Sequence, residues 1–159
     1  LSAVLALSAT AFYVGVYTLW LKRTSRQNIV IGGAAGAMPV LVGWAAVQND
    51  LSWTPIVLFG AMFFWTPPHF WALAIKYADD YRAANVPMLP AVVPFEHAVR
   101  QMIGHTLAMV ACTLILIPVA DLGMIYSVAA VVLGAIFIFA TIWLGSHPTA
   151  SASMRVFGY

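Results

Sequence analysis

Five long stretches of the chain carry no Asp, Glu, Lys or Arg: residues 1–21, 27–49, 51–75, 101–120 and 122–154. Each is long enough to cross a bilayer core as a helix, which takes about 20 residues. Membrane strands would need only about ten residues each and would alternate in polarity, which these stretches do not. A helix satisfies its own backbone hydrogen bonds in lipid. The expected fold class is therefore all-α, a polytopic transmembrane bundle with spans near 2–21, 28–47, 54–75, 101–119 and 123–144.

Composition agrees with that pattern. The 159 residues are 63% hydrophobic and 8% charged, where a soluble domain carries about 25% charged residues. Mean hydropathy is +0.93. The net charge of +2 is too small to signal nucleic acid. The single cysteine, Cys112, lies mid-span and is expected to be a small buried side chain.

The ends look cut. Leu1 follows no initiator Met, charged n-region or cleavage motif, so residues 1–21 do not read as a signal peptide. Residues 155–159 resemble the first turn of a further helix. The expectation is an internal piece of a longer protein.

Charge placement sets the topology. With five spans, all seven basic residues (Lys22, Arg23, Arg26, Lys76, Arg82, Arg100 and Arg155) fall on one face, and only Asp50 and Asp121 lie on the other. The positive-inside rule makes the basic face, with loops 22–28 and 76–100, cytoplasmic in a multi-pass protein of the cell (inner) membrane. Trp20, Trp44, Trp53, Trp71 and Trp143 sit near span ends, as interfacial aromatics do.

Four segments carry candidate chemistry, and each has a plain reading beside the functional one. In the loop 76–100, Lys76 and Asp80 are four apart and Asp79 and Arg82 three apart, so each pair shares a face of a helix continuing from the third span. They are either surface ion pairs worth about 0.5 kcal/mol each, or a site where an aspartate holds Mg²⁺ and the two bases meet phosphate. Mg²⁺ takes one or two carboxylates with waters and substrate phosphates, which suits so few acids. Two prolines in Asn85–Pro90 limit any helix there.

Lys22, Arg23 and Arg26 are either topology and headgroup contacts or a phosphate clamp facing the later loop. Asn28 is placed to N-cap the second helix or to touch a polar ligand. Gly32 and Gly36 form a small-residue face for helix packing, which also leaves room for a long lipid tail. Pro67 and Pro68 should kink the third span. Beside them, His69 is open to an interhelical hydrogen bond, proton handling or haem contact. His97, His105 and His147 share no metal-ligand spacing.

Two blocks go further. Tyr17–Arg23 with Gln27–Ala37 and Gly43–Trp44, and Pro68–Arg82 with Val86–Pro90, resemble the protohaem IX farnesyltransferases (haem O synthases). These form the haem-directed branch of the UbiA-type intramembrane prenyltransferases. The resemblance implies a nine-helix bundle whose two cytoplasmic acidic motifs bind Mg²⁺ and an isoprenoid diphosphate, and of which this chain holds about five spans. The later motif maps onto Lys76–Asp80. Many relatives have Asp-x-x-x-Asp there, and Lys76 replaces the first acid, as in the haem-directed branch. The earlier Asn/Asp-rich motif is absent, so the piece is expected to be inactive alone.

On this resemblance Asp79 and Asp80 are the metal candidates, and with Lys76 the catalytic ones. Lys22, Arg23, Asn28 and Arg82 would meet diphosphate, and His69 and Tyr81 would border the haem or substrate pocket. Phe63, Phe64, Phe70, Trp71 and Tyr77 are candidate apolar walls. The substrates implied are farnesyl diphosphate and haem b, and the surroundings a lipid bilayer, with haem A synthase as a downstream contact and no nucleic acid. The rivals are a UbiA-type enzyme for an aromatic or quinone precursor and a non-enzymatic transport module. A transporter should carry ion pairs at mid-depth, whereas the charges here sit at span ends.

Overall fold

The computed structural model describes residues 1–159 and contains helices and no strands. Five helices are long and apolar enough to cross a membrane: α1 (Ser2–Thr24), α2 (Asn28–Gln48), α3 (Trp53–Lys76), α6 (Phe95–Val119) and α7 (Met124–Ser146). Three short ones, α4 (Ala78–Ala83), α5 (Leu89–Val92) and α8 (Ala150–Phe157), lie at one end of the bundle. Up-and-down connectivity brings all seven basic side chains to that end. The opposite end is tied by Trp44 Nε1 donating to Asp50 at 3.0 Å and Thr54 Oγ1 to the Val119 carbonyl at 3.4 Å.

Local chemistry sets the helix ends. The residues with positive φ are Asn49, Asn85 and Asp121, of the types whose short polar side chains tolerate the left-handed region. α1 runs three residues past the expected boundary and carries Lys22 and Arg23 in its last turn. α6 starts at Phe95 rather than 101, with Pro94 at its N-cap. Glu96 and Arg100 end the uncharged stretch without ending the helix. α8 occupies what reads in sequence as loop and the start of a further helix; Thr149 caps it by accepting from the Ala152 amide at 3.1 Å.

α3 is the central element, packed against α2, α6 and α8. Pro67 and Pro68 are fully buried, and the helix is continuous through both. Only 30 residues are buried, and the core they form gathers at the basic end. It joins Trp71, Ala72 and Ala74 of α3, Met88 and Leu89 of the connecting segment, Met102 of α6, Leu144 of α7 and Val156 of α8. Elsewhere the helices make a single layer whose exposed apolar side chains suit lipid. The connecting segment with α5, and α8, thus close the core at the basic end.

Trp71 belongs to this core with 0% exposure, so it is no interfacial aromatic, whereas Trp20 and Trp53 are widely exposed. α6 and α7 approach at Gly134, where a Cβ would lie 3.0 Å from Val110. Farther along the same seam, the buried Thr106 and Thr141 hydroxyls meet at 3.4 Å. Cys112 is only partly buried, its sulfur directed at Gly60 of α3.

One irregularity stands out. Residues Phe12–Leu21 of α1 are wound as a π-helix, with the Lys22 amide donating to the Tyr17 carbonyl. π-bonding is rare and is frequently found at functional sites.

Candidate active site

Two hollows meet at the basic end. The first is a cleft of about 390 Å³ lined by Arg23 and Thr24 of α1, Tyr81 and Arg82 of α4, and residues of the connecting segment that include Asn85. The second is a trough of about 550 Å³ between α1, α2 and α3, lined by Tyr13, Tyr17, Gly32, Gly36, Thr66 and Phe70 among others. Tyr17 on the trough and Arg23 on the cleft lie six residues apart on α1, so the two hollows open along one stretch of that helix.

The segment after α3 shapes the cleft. Tyr77 leaves helical geometry (φ −107°, ψ 28°), ending α3 and restarting the chain as α4. The Val86 amide returns to the Tyr81 carbonyl at 3.0 Å around left-handed Asn85. Pro90 then opens α5, because a missing N–H costs nothing in a first helical turn. Arg82 binds the two halves: Nε donates to the Ala91 carbonyl at 2.9 Å and Nη1 to the Asp79 carboxylate.

The sequence candidates divide accordingly. Arg23, Arg82 and Tyr81 converge on the cleft. Asp79 pairs with Arg82, but the expected Lys76–Asp80 pair does not form. The break at Tyr77 turns Lys76 away, and its ammonium lies 5.0 Å over the Tyr77 ring. Asp80 makes no ion pair and is exposed.

Asn28 does not cap α2. Gln27 holds that position, and Asn28, 1% exposed, donates to the Lys22 carbonyl at 3.4 Å while its own amide oxygen is buried without a partner. Lys22 reaches Asn28 through its backbone; its side chain lines neither hollow. His69 lies outside both as well. It is stacked between Trp65 (4.2 Å) and Phe157 (4.3 Å); Nδ1 is buried without a partner, while the Phe157 backbone of α8 lies within hydrogen-bonding reach of the ring.

Of the candidate apolar walls, Phe70 alone lines the trough. Phe63 and Phe64 pack edge to face, and Phe64 continues toward His105 of α6. Tyr13 was not singled out by the sequence reading and Tyr17 entered only as the first residue of a resemblance block, with no role of its own, since tyrosines in an apolar run are ordinary. Their four-residue spacing toward a Gly-rich helix was the available signal.

The glycines of α2 also differ from one another. A Cβ on Gly32 would collide with the Tyr17 ring, one on Gly33 would touch Thr66 of α3 at 3.4 Å, and one on Gly36 would meet nothing. Helix packing thus rests on Gly33, an aromatic seat on Gly32, and open trough on Gly36.

No three His, Cys, Asp or Glu side chains gather as a metal cage. The donor set still fits Mg²⁺ shared with a phosphate ligand, which needs only one or two carboxylates. Asp80 is the carboxylate left unpaired for it, although neither Asp79 nor Asp80 lines the cleft itself. The only ion pair in the molecule lies at the rim, not at mid-depth.

The sequence pattern of the UbiA prenyltransferase family matches residues 1–159. The chain belongs to that family. Among curated UbiA relatives, the protoheme IX farnesyltransferase of Frankia alni is 58% identical over 137 residues, covering 86% of this chain and 47% of that protein. The Gloeobacter violaceus protein of the same name is 59% identical over 133 residues (84% and 44%). That of a Nocardioides species is 52% identical over 163 residues (99% and 52%). The chain spans about half the length of the curated relatives it matches. No solved structure matches it.

Proposed function

We propose that the protein carrying this chain transfers the farnesyl group of farnesyl diphosphate to a vinyl group of protohaem IX, giving haem O. The observation that carries the reading is the convergence of Arg23 and Arg82 on one cleft that adjoins a long trough rich in small residues. The acceptor is inferred from the relatives' shared name. The basic end is assigned to the cytoplasm of a cell (inner) membrane, and haem O would pass to haem A synthase.

In this mechanism the diphosphate sits in the cleft against Arg23 and Arg82; Lys22 and Lys76, whose side chains line neither hollow, would have to turn toward it. The prenyl tail lies in the trough, where bare glycine backbone leaves room. The C1–O bond breaks and its electron pair leaves with diphosphate, whose growing charge the guanidinium groups stabilise. The vinyl π pair bonds to C1, and the cation left on the acceptor takes up water and releases a proton. Asp80, with Asp79 once freed from Arg82, would hold Mg²⁺, which when bound adds positive charge against the leaving group.

Membranes containing the full-length protein, given farnesyl diphosphate with either haem b or 4-hydroxybenzoate, test the reading. Haem O from the first mixture alone supports it. Prenylation of 4-hydroxybenzoate alone would move the protein to the aromatic-acceptor branch, and no product from either would remove the activity.

A further inference from the structure

Tyr17 stands where the cleft adjoins the trough. Its ring lines the trough, and Arg23 of the same helix lines the cleft. The next ring deeper, Tyr13, lies 5.5 Å away between centroids. Two features hold the ring there. The π-wound stretch Phe12–Leu21 contains both tyrosines, and such winding is frequent at functional sites. On the facing helix, Gly32 presents bare backbone: a Cβ there would come within 2.8 Å of Tyr17 Cε2.

Arg23 lies six residues beyond Tyr17, at most about 9 Å of helix rise. A diphosphate held at Arg23 would therefore bring the first carbon of its prenyl chain to the level of Tyr17.

We propose that Tyr17 shields the reacting carbon: its ring faces the first isoprene unit of a bound allylic diphosphate, with Tyr13 next along the tail. This rests on the prenyl-transfer reading and deepens it. When the C1–O bond breaks and diphosphate leaves with the electron pair, C1 becomes an allylic cation. A ring face stabilises that charge and keeps water from C1. If water reaches C1 first, its oxygen bonds there, a proton is lost, and the product is the free allylic alcohol with no transfer. Gly32 is the positioning residue that seats the ring.

The test uses the full-length protein in membranes with farnesyl diphosphate and haem b, reading haem O and farnesol together. Tyr17→Leu is expected to lower kcat about tenfold and to raise farnesol per haem O about tenfold. The donor KM should stay within about threefold, the pattern for an interaction made in the transition state. Tyr17→Phe keeps the wild-type ratio, and Gly32→Ala, which displaces the ring, shifts it as Tyr17→Leu does. A wild-type farnesol ratio in Tyr17→Leu overturns the proposal.

Because a variant can fail to fold, the wild-type protein is also irradiated with farnesyl diphosphate bearing a diazirine on its first isoprene unit. Label within residues 13–21 supports the assignment, and label confined to other segments overturns it. The prenyl-transfer reading fails by a different result, a wild-type protein that makes no haem O.

Discussion

Arg82 reaches across the chain to Ala91, its Nε donating to the backbone carbonyl at 2.9 Å while Nη1 holds Asp79. The same guanidinium lines the rim cleft. One side chain therefore closes the segment between α4 and α5 and contributes positive charge to the hollow that segment borders.

The two bonds differ in worth. Asp79 is 95% exposed and Arg82 54%, so their ion pair contributes at most about 0.5 kcal/mol. The bond to Ala91 joins α4 to α5 across their connecting segment and pins a backbone. Arg82→Ala is expected to raise hydrogen exchange of residues 84–93 by about tenfold, near 1.4 kcal/mol of local opening. Asp79→Asn should leave exchange there unchanged. Equal effects from the two would mean the Ala91 bond does not hold the segment.

Gly32 and Gly36 look alike in sequence and should behave oppositely. Gly36→Ala adds a methyl to open space and a better helix former, so melting should hold or improve by up to about 1 kcal/mol. Gly32→Ala forces the Tyr17 ring aside and should cost about 1–3 kcal/mol. Thermal melting of the detergent-solubilised protein separates them, and a reversed order would place Tyr17 elsewhere.

Trp71 is fully buried with its indole N–H unpartnered. Trp71→Ala should cost about 3–5 kcal/mol through the cavity it leaves. Trp71→Phe gives up volume but no hydrogen bond, and should cost less than half as much, by the same melting measurement. Equal losses would show that the indole nitrogen has a partner that matters.

The membrane class, the five spans and the segregation of basic residues were legible because each is written in charge spacing, which lipid punishes directly. Arg23, Arg82 and Tyr81 could be nominated from blocks of sequence, but their convergence depends on how α4 turns at Tyr77 and Asn85. Lys76 shows the limit. Four-residue spacing to Asp80 implied a shared helix face, and a single non-helical residue between them removed it. α8 was missed because Thr149–Ser153 reads as a small-residue loop until the cap at Thr149 and a buried neighbour in α3 are known. Tyr17 stood in a resemblance block without a role for a related reason: the feature that singles it out, Gly32 facing its ring, joins two helices.

The role of the acids can be separated from the role of the bases. Asp80, unpaired, should matter more than Asp79: Asp80→Asn is expected to lower haem O formation at least about tenfold and Asp79→Asn less. Haem O yield against magnesium concentration checks this. If both variants retain full haem O formation, neither aspartate holds the metal.

The central claim is that an anion is gripped between the end of α1 and the α4 segment. The most direct measurement is the donor KM of the full-length protein carrying Arg23→Gln, with farnesyl diphosphate varied at saturating haem b and the amount of folded protein matched. Loss of one charge-assisted contact to phosphate predicts a KM raised about tenfold or more. An unchanged KM with unchanged kcat would mean that the cleft between Arg23 and Arg82 does not hold the diphosphate.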